Sequence, residues 1–251
     1  MTKIAFITGA TSGIGLATAR ELAGQQYNLI ICGRRTERLQ ALKEELTGKA
    51  EVYPLSFDVR DRKAVEEAIG SLPETWKAID VLVNNAGNAH GLDPIQSGDP
   101  DDWDAMIDIN VKGLLYVSRA IMPGMVDRKK GHIVNISSIA GKEVYPNGNV
   151  YSATKHAVDA LNKGMRMDLN AHGIKVTAIN PGLVETEFSE VRFKGDNDRA
   201  TKVYQGYKAL QAEDIAEVIT FTVSRPPHVV LSDVMVLPLA QASSTLVNKD
   251  Q

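Results

Sequence analysis

Short apolar runs recur along this chain at Ile4–Thr8, Tyr27–Cys32, Glu51–Phe57, Val81–Asn84, His132–Ser137, Lys175–Asn180 and Asp233–Leu237. Most set Val, Ile or Leu side by side, as strands covered on both faces do. Between them lie stretches with helical spacing: Gly13–Ala23, Thr36–Leu46, Lys63–Ser71, Asp102–Met125, Val150–Ala171 and Ala212–Ser224. Strands alternating with helices imply a parallel sheet joined by right-handed crossovers, with helices on both faces. The pattern predicts an α/β fold: a single domain over residues 1–251 with a doubly wound parallel sheet of about seven strands. No linker-like break, internal repeat or low-complexity tract interrupts it. The least regular stretch is 185–207, which follows the sixth strand and contains Phe193-Lys-Gly-Asp-Asn-Asp-Arg199. Excursions at the carboxyl ends of parallel strands are where ligands bind, so this stretch reads as a substrate lid or as an ordinary mobile surface loop.

Composition narrows the picture by exclusion. The 251 residues are 43% hydrophobic and 24% charged, ordinary for a chain that buries one large core. A net charge of −3 argues against nucleic-acid binding and against adhesion to anionic membranes. The single cysteine, Cys32, excludes an intrachain disulfide, and its apolar neighbours Leu29-Ile30-Ile31 indicate a buried thiol. No apolar run approaches the ~18 residues of a membrane span, and Met1–Thr8 carries no charged-then-apolar leader. The expectation is a cytoplasmic protein with a small-molecule substrate, no nucleic-acid or membrane partner and, with its histidines scattered, no metal.

The chemistry starts at Thr8-Gly-Ala-Thr-Ser-Gly-Ile-Gly15, which follows the first strand and opens the first helix. Glycines there permit a tight turn and bring backbone N–H groups and a helix N-terminus close to a pyrophosphate, as in Rossmann-like folds. Gly9, Thr11, Ser12, Gly13, Ile14 and Gly15 are thus candidate cofactor residues. The second strand ends Cys32-Gly33-Arg34-Arg35, with no acid to bind a ribose 2′-hydroxyl. A guanidinium fork matches a 2′-phosphate, so Arg34 and Arg35 point to NADP(H) over NAD(H). Asp58 and Val59 end the third strand, where an adenine edge is held. Asn84, Ala86 and Gly87 end the fourth, where small residues and amides let backbone approach the cofactor. Ordinary turn chemistry explains these last two groups nearly as well.

In Tyr151-Ser-Ala-Thr-Lys155 the phenol and ammonium lie four residues apart, on one helix face. On its own this is a common solvated pair. Beside a dinucleotide site it is acid–base machinery, because a cation favours the phenolate of a group whose ordinary pKa is about 10. A serine at a neighbouring strand end, Ser137 or Ser138, would hold the same substrate oxygen.

Together, Thr8–Gly15, Asp58, Asn84–Gly87, Asn110, Ser138, Tyr151, Lys155 and Pro181-Gly182 resemble the short-chain dehydrogenase/reductase family over almost the whole chain. The resemblance implies that Ser138, thirteen residues before Tyr151, polarises the substrate oxygen. It makes Tyr151 the general acid–base and Lys155 the group that lowers the tyrosine pKa and binds the nicotinamide ribose. Asn110 would hold a water in a proton relay, and Pro181, Gly182, Val184 and Thr186 would flank the nicotinamide. Asn180–Ser189, Val191–Asp196 and Val236–Gln241 are similar to the NADP-dependent 3-hydroxy acid dehydrogenases, which act on serine, allo-threonine and related acids and form homotetramers. A carboxylate substrate needs a cation, and Arg192 or Lys194 in the lid would supply it; Arg192 is the candidate, against a role as a solvated charge or a partner of Glu187 or Glu190. Two alternatives stand beside this: a reductase of uncharged aldehydes, ketones or sugars, and a non-catalytic NADP(H)-binding regulator.

Overall fold

The structure, a computed structural model, describes residues 2–249. Seven parallel strands form one sheet in the order β3-β2-β1-β4-β5-β6-β7: β1 Ile4–Thr8, β2 Asn28–Gly33, β3 Val52–Ser56, β4 Ile79–Asn84, β5 Gly131–Ile136, β6 Ile174–Pro181 and β7 Asp233–Val236. The run-based expectations match these strands to within two residues at each boundary.

Successive side chains of a strand point to opposite faces. On β1, Phe6 enters one apolar core while Ala5 and Ile7 enter the other. The first core is covered by helices α3 (Arg62–Gly70), α5 (Leu114–Arg128) and α6 (Asn149–Leu169), and the second by α1 (Gly13–Gly24), α2 (Thr36–Glu45) and α9 (Ala212–Val223). Cys32 lies wholly inside, and burial pushes its thiol pKa up to about 12, so it is an inert packing group.

Two details depart from the periodicity. The helix expected over Asp102–Met125 is broken: α4 (Pro100–Ile107) and α5 are joined by a widened π turn, Asp108–Gly113, which carries Asn110. The 185–207 stretch is not structureless, holding two short helices, α7 (Phe188–Arg192) and α8 (Asn197–Lys202).

Strand order reverses direction between β1 and β4, and at that switch point the strand ends part to leave a crevice. One hydroxyl fixes its floor. Thr8 Oγ1 accepts from the backbone N–H groups of Asn85 (2.9 Å) and Ala86 (2.8 Å) and donates to the Val83 carbonyl at 3.3 Å.

Candidate active site

A cleft of about 520 Å3 runs from the glycine turn, across the carboxyl ends of the strands, to α6 and α7. All the expected cofactor residues except Gly15 and Asn84 line it, and so do Ser138, Tyr151, Lys155 and Arg192. Gly15 lies beneath the turn, where a Cβ would strike the Gly9 carbonyl oxygen and the Asn85 amide. Gly9 and Gly13 hold φ of +65° and +51°, left-handed backbone that glycine adopts without strain.

Asn84 is a correction. Its side chain is buried within the sheet and donates to Ser118 and Asn135, both at 2.9 Å, so it braces β4 against α5 and β5 and does not reach the cleft. Asn85, which lines the cleft, spends its amide on the carbonyls of Thr8 and Gly9.

The helix α1 N-terminus has no side-chain cap and no acid in its first turn, leaving its N–H groups for an anion. At the end of β2, Arg34 lies 3.7 Å from Asp58 and is largely exposed. Asp58 itself is gripped by Arg60 at 2.7 Å; burial works against its charge, but hydrogen bonds from Arg60 hold its pKa below the usual range. Arg35 crosses the glycine turn, donating to Thr11 Oγ1 (2.8 and 3.0 Å) and Ser12 Oγ (2.7 Å). Glycines packed too closely for a Cβ, an uncapped helix start and a basic strand end fit a phosphorylated dinucleotide.

At the other end, Ser138 caps a short turn over Ile139–Gly141 by accepting from the Ala140 N–H at 3.1 Å. Ser137 is turned toward α6, donating to the Lys155 carbonyl at 3.3 Å. Tyr151 and Lys155 lie one turn apart on α6, with the lysine Nζ 5.8 Å from the phenol ring centroid. Lys155 donates to the Ile136 carbonyl at 3.0 Å, and burial pulls its pKa down to about 8. The Tyr151 hydroxyl differs in direction from the expectation: burial is the largest influence and raises its pKa, Tyr145 adds to this, and Ser138 and Arg192 oppose it. The phenol is thus held protonated in the free protein, because removing it from water penalises its anion more than the Ser138 hydrogen bond and the Arg192 charge repay.

Asn110 is buried behind these residues, outside the cleft lining. It donates to the Asn88 carbonyl (2.8 Å) and Thr154 Oγ1 (3.0 Å) and accepts from the Asn88 N–H at 2.9 Å. Both amide hydrogens are spent, so the side chain braces α6 against the loop after β4.

Three groups of the 185–207 stretch find partners elsewhere. Lys194 pairs with Asp102 at 2.9 Å and Asp99 at 3.5 Å. Glu187 pairs with Arg35 at 2.9 Å and Arg38 at 2.6 Å. Arg192 lies beside the reacting groups, its guanidinium carbon 5.5 Å from the Tyr145 ring centroid and 5.7 Å from that of Tyr151, and donates to the Gly91 carbonyl at 3.2 Å. Among the described residues no carboxylate pairs with it. Sequence reasoning missed Arg38, Tyr145 and Gln241. Arg38 sits one turn along α2 from Arg35, a spacing that could have flagged it; Gln241 closes the Val236–Gln241 tail singled out in the sequence, though with no role of its own there, and its amide oxygen accepts from the Leu183 N–H at 2.9 Å.

The model of the family described as short chain dehydrogenase matches residues 3–197. The chain belongs to the short-chain dehydrogenase family. Within it, the NADP-dependent 3-hydroxy acid dehydrogenase YdfG of Salmonella typhi is 48% identical over 244 residues, 97% of this chain and 98% of that one. Sulfoacetaldehyde reductase 2 of Chromohalobacter salexigens is 44% identical over 252 residues, covering both chains completely. Among solved short-chain dehydrogenases, the closed form of a serine dehydrogenase complexed with NADP+ superposes with a TM-score of 0.94 at 46% identity, covering 99% of this chain and all of that one. The seven-stranded sheet is thus the one expected for this family.

Among the described residues no helix is long and apolar enough to cross a membrane, and no three His, Cys, Asp or Glu side chains cluster to hold a metal ion.

Proposed function

We propose that this chain is an NADP-dependent oxidoreductase for short 3-hydroxy acids or 3-hydroxy amino acids such as serine, allo-threonine and 3-hydroxypropionate. One observation carries the substrate class: Arg192 is a cation lining the cleft beside Tyr151 with no carboxylate paired to it among the described residues, while Glu187 is committed to Arg35 and Arg38 and Lys194 to Asp99 and Asp102. A guanidinium there satisfies an anion a few bonds from the reacting oxygen. The names of two relatives agree with such an anion, a carboxylate in the 3-hydroxy acids and a sulfonate in sulfoacetaldehyde.

Gly9, Thr11, Ser12, Gly13 and the start of α1 would hold the pyrophosphate, with Gly15 letting the turn pack. Arg34 and Arg35 would hold the 2′-phosphate, Asp58 and Val59 the adenine, and Ala86, Gly87, Pro181, Gly182, Val184 and Thr186 the nicotinamide half. When bound, the nicotinamide accepts or supplies the hydride. Ser138 donates a hydrogen bond to the substrate oxygen. In reduction the protonated Tyr151 gives its proton to that oxygen; in oxidation it takes the proton, which requires Lys155 and Arg192 to stabilise the phenolate against burial. The 185–207 stretch acts as a lid that carries Arg192. Assembly as a homotetramer in the cytoplasm belongs to the same proposal, and a light-scattering mass near that of one chain would oppose it.

The test is the initial rate of nicotinamide reduction with NADP+ or NAD+ across serine, allo-threonine, 3-hydroxypropionate, 3-hydroxybutyrate and uncharged alcohols. Turnover with NADP+ and the acids supports the reading, and Arg192→Ala is expected to raise the Michaelis constant for the acids about 10-fold or more, the effect of losing a charged hydrogen bond. Turnover with uncharged alcohols alone would remove the carboxylate pocket.

A further inference from the structure

The arginines expected to receive a phosphate already hold a carboxylate. Glu187 Oε2 accepts from Arg35 Nη1 at 2.9 Å, and Oε1 accepts from Arg38 Nη1 at 2.6 Å. Each oxygen thus takes one guanidinium. The remaining donors of Arg35 are fixed on Thr11 and Ser12, so the carboxylate is tied to the glycine turn through a single side chain. Arg34, Arg35 and Glu187 line the same cleft. The acid belongs to the stretch that carries Arg192, and its two partners lie 149 and 152 residues away at the β2–α2 corner. Burial works against its charge, but the hydrogen bonds from Arg35 and Arg38 hold its pKa below the usual carboxylate range, so it is ionised at neutral pH.

A phosphate monoester carries about −1.5 to −2 charges at neutral pH and offers three strong acceptor oxygens. Brought to Arg35, it meets an anion already seated there. The two anions repel, and one of them must leave the guanidinium. A 2′-hydroxyl carries no charge with which to displace the carboxylate.

We propose that Glu187 is an internal competitor for the 2′-phosphate: it latches the lid to Arg35 and Arg38 in the free protein and yields Arg35 when NADP(H) enters. It is a specificity-determining residue that acts by subtraction, weakening NADP(H) binding while coupling the phosphate end of the cleft to the lid. This rests on the NADP reading above.

The experiment measures equilibrium binding by calorimetry, with no turnover, for wild type and Glu187→Gln. The probes are NADP+, NAD+, adenosine 2′,5′-bisphosphate and AMP, the last two reporting on the adenosine end alone. Removing the charge is expected to tighten NADP+ and the bisphosphate about 3- to 10-fold, with NAD+ and AMP changing less than 2-fold. In the cofactor-free variant, trypsin is expected to cut at Lys194, Arg199 and Lys202 faster than in wild type. Circular dichroism checks the fold, and Glu187→Asp, which keeps the charge but shortens its reach, is a second variant expected to loosen the lid in the same digestion. Wild-type preference for NADP+ with an unchanged or lowered ratio in Glu187→Gln overturns the latch alone. Equal wild-type binding of NADP+ and NAD+ overturns the cofactor reading, and the latch with it.

Discussion

At the Tyr151 end of the cleft, Lys155 is buried with its ammonium on the Ile136 carbonyl, and both it and the phenol have pKa values displaced by burial. At the other end, Arg34, Arg35 and Arg38 are between 41% and 60% exposed and share Asp58 and Glu187. The inner end is dry, so charge there is costly and protonation is readily tuned. The outer end is wet, so its ion pairs are weak and one anion can replace another. Proton transfer suits the first setting and reversible capture of a charged cofactor suits the second.

The sharpest way to break this comparison is Tyr151→Phe. If the buried end performs proton transfer, turnover in the nicotinamide absorbance assay falls about 10²- to 10⁴-fold while NADP+ binding stays within a few-fold. Loss of binding in proportion to turnover would make Tyr151 a scaffold residue.

Next in size is the stability contribution of Lys155. Its folded pKa is about 8, below the 10.5 of the free side chain. Below pH 8 both folded and unfolded chains hold the proton, and the native state bears the full penalty of the buried charge. As pH rises from about 8 toward 10.5 the native state sheds the proton first, so the penalty is relieved. Denaturant titrations are expected to show wild type gaining on Lys155→Met by up to about 3 kcal/mol over that window. Parallel curves for the two proteins would place the lysine in a wetter setting than the structure shows.

At the exposed end, Arg35→Ala should raise the Michaelis constant for NADP+ about 10-fold and that for NAD+ far less, because one charge-assisted contact is lost. High salt should shrink that difference. Equal effects on the two cofactors would remove the phosphate assignment. The smallest change is expected from Ser137→Ala, a few-fold at most in turnover, since its hydroxyl serves only the Lys155 carbonyl. A loss matching that of Ser138→Ala would exchange the roles of the two serines.

The sheet and the inner end of the cleft were largely legible in the chain. Buried parallel strands write themselves as unbroken Val, Ile and Leu, and a four-residue spacing on one helix specifies that Tyr151 and Lys155 share a face. Asn84 misled because a strand-end amide reads the same whichever way it points. The two-residue alternation of β4 decides the matter, sending Asn84 inward to Ser118 and Asn135. The α7 and α8 helices were invisible because five and six residues are too few to display a helical period. The direction of the Tyr151 shift was also hidden: neighbouring charges can be read from a motif, but the depth of burial that outweighs them cannot. The Glu187 pairing joins segments about 150 residues apart and has no local signature.

The widened turn at Asp108–Gly113 has a consequence for how this chain tolerates insertions and deletions. A π turn takes up one extra residue within a single turn, so removing one there would let α4 run unbroken into α5 and erase the local widening that places Asn110. Asn110 would then lose its alignment with Asn88 and Thr154 even though its identity was unchanged. The information at this position resides in the count of residues. A deletion of Val111 should therefore be far more damaging than replacing it with any other aliphatic side chain.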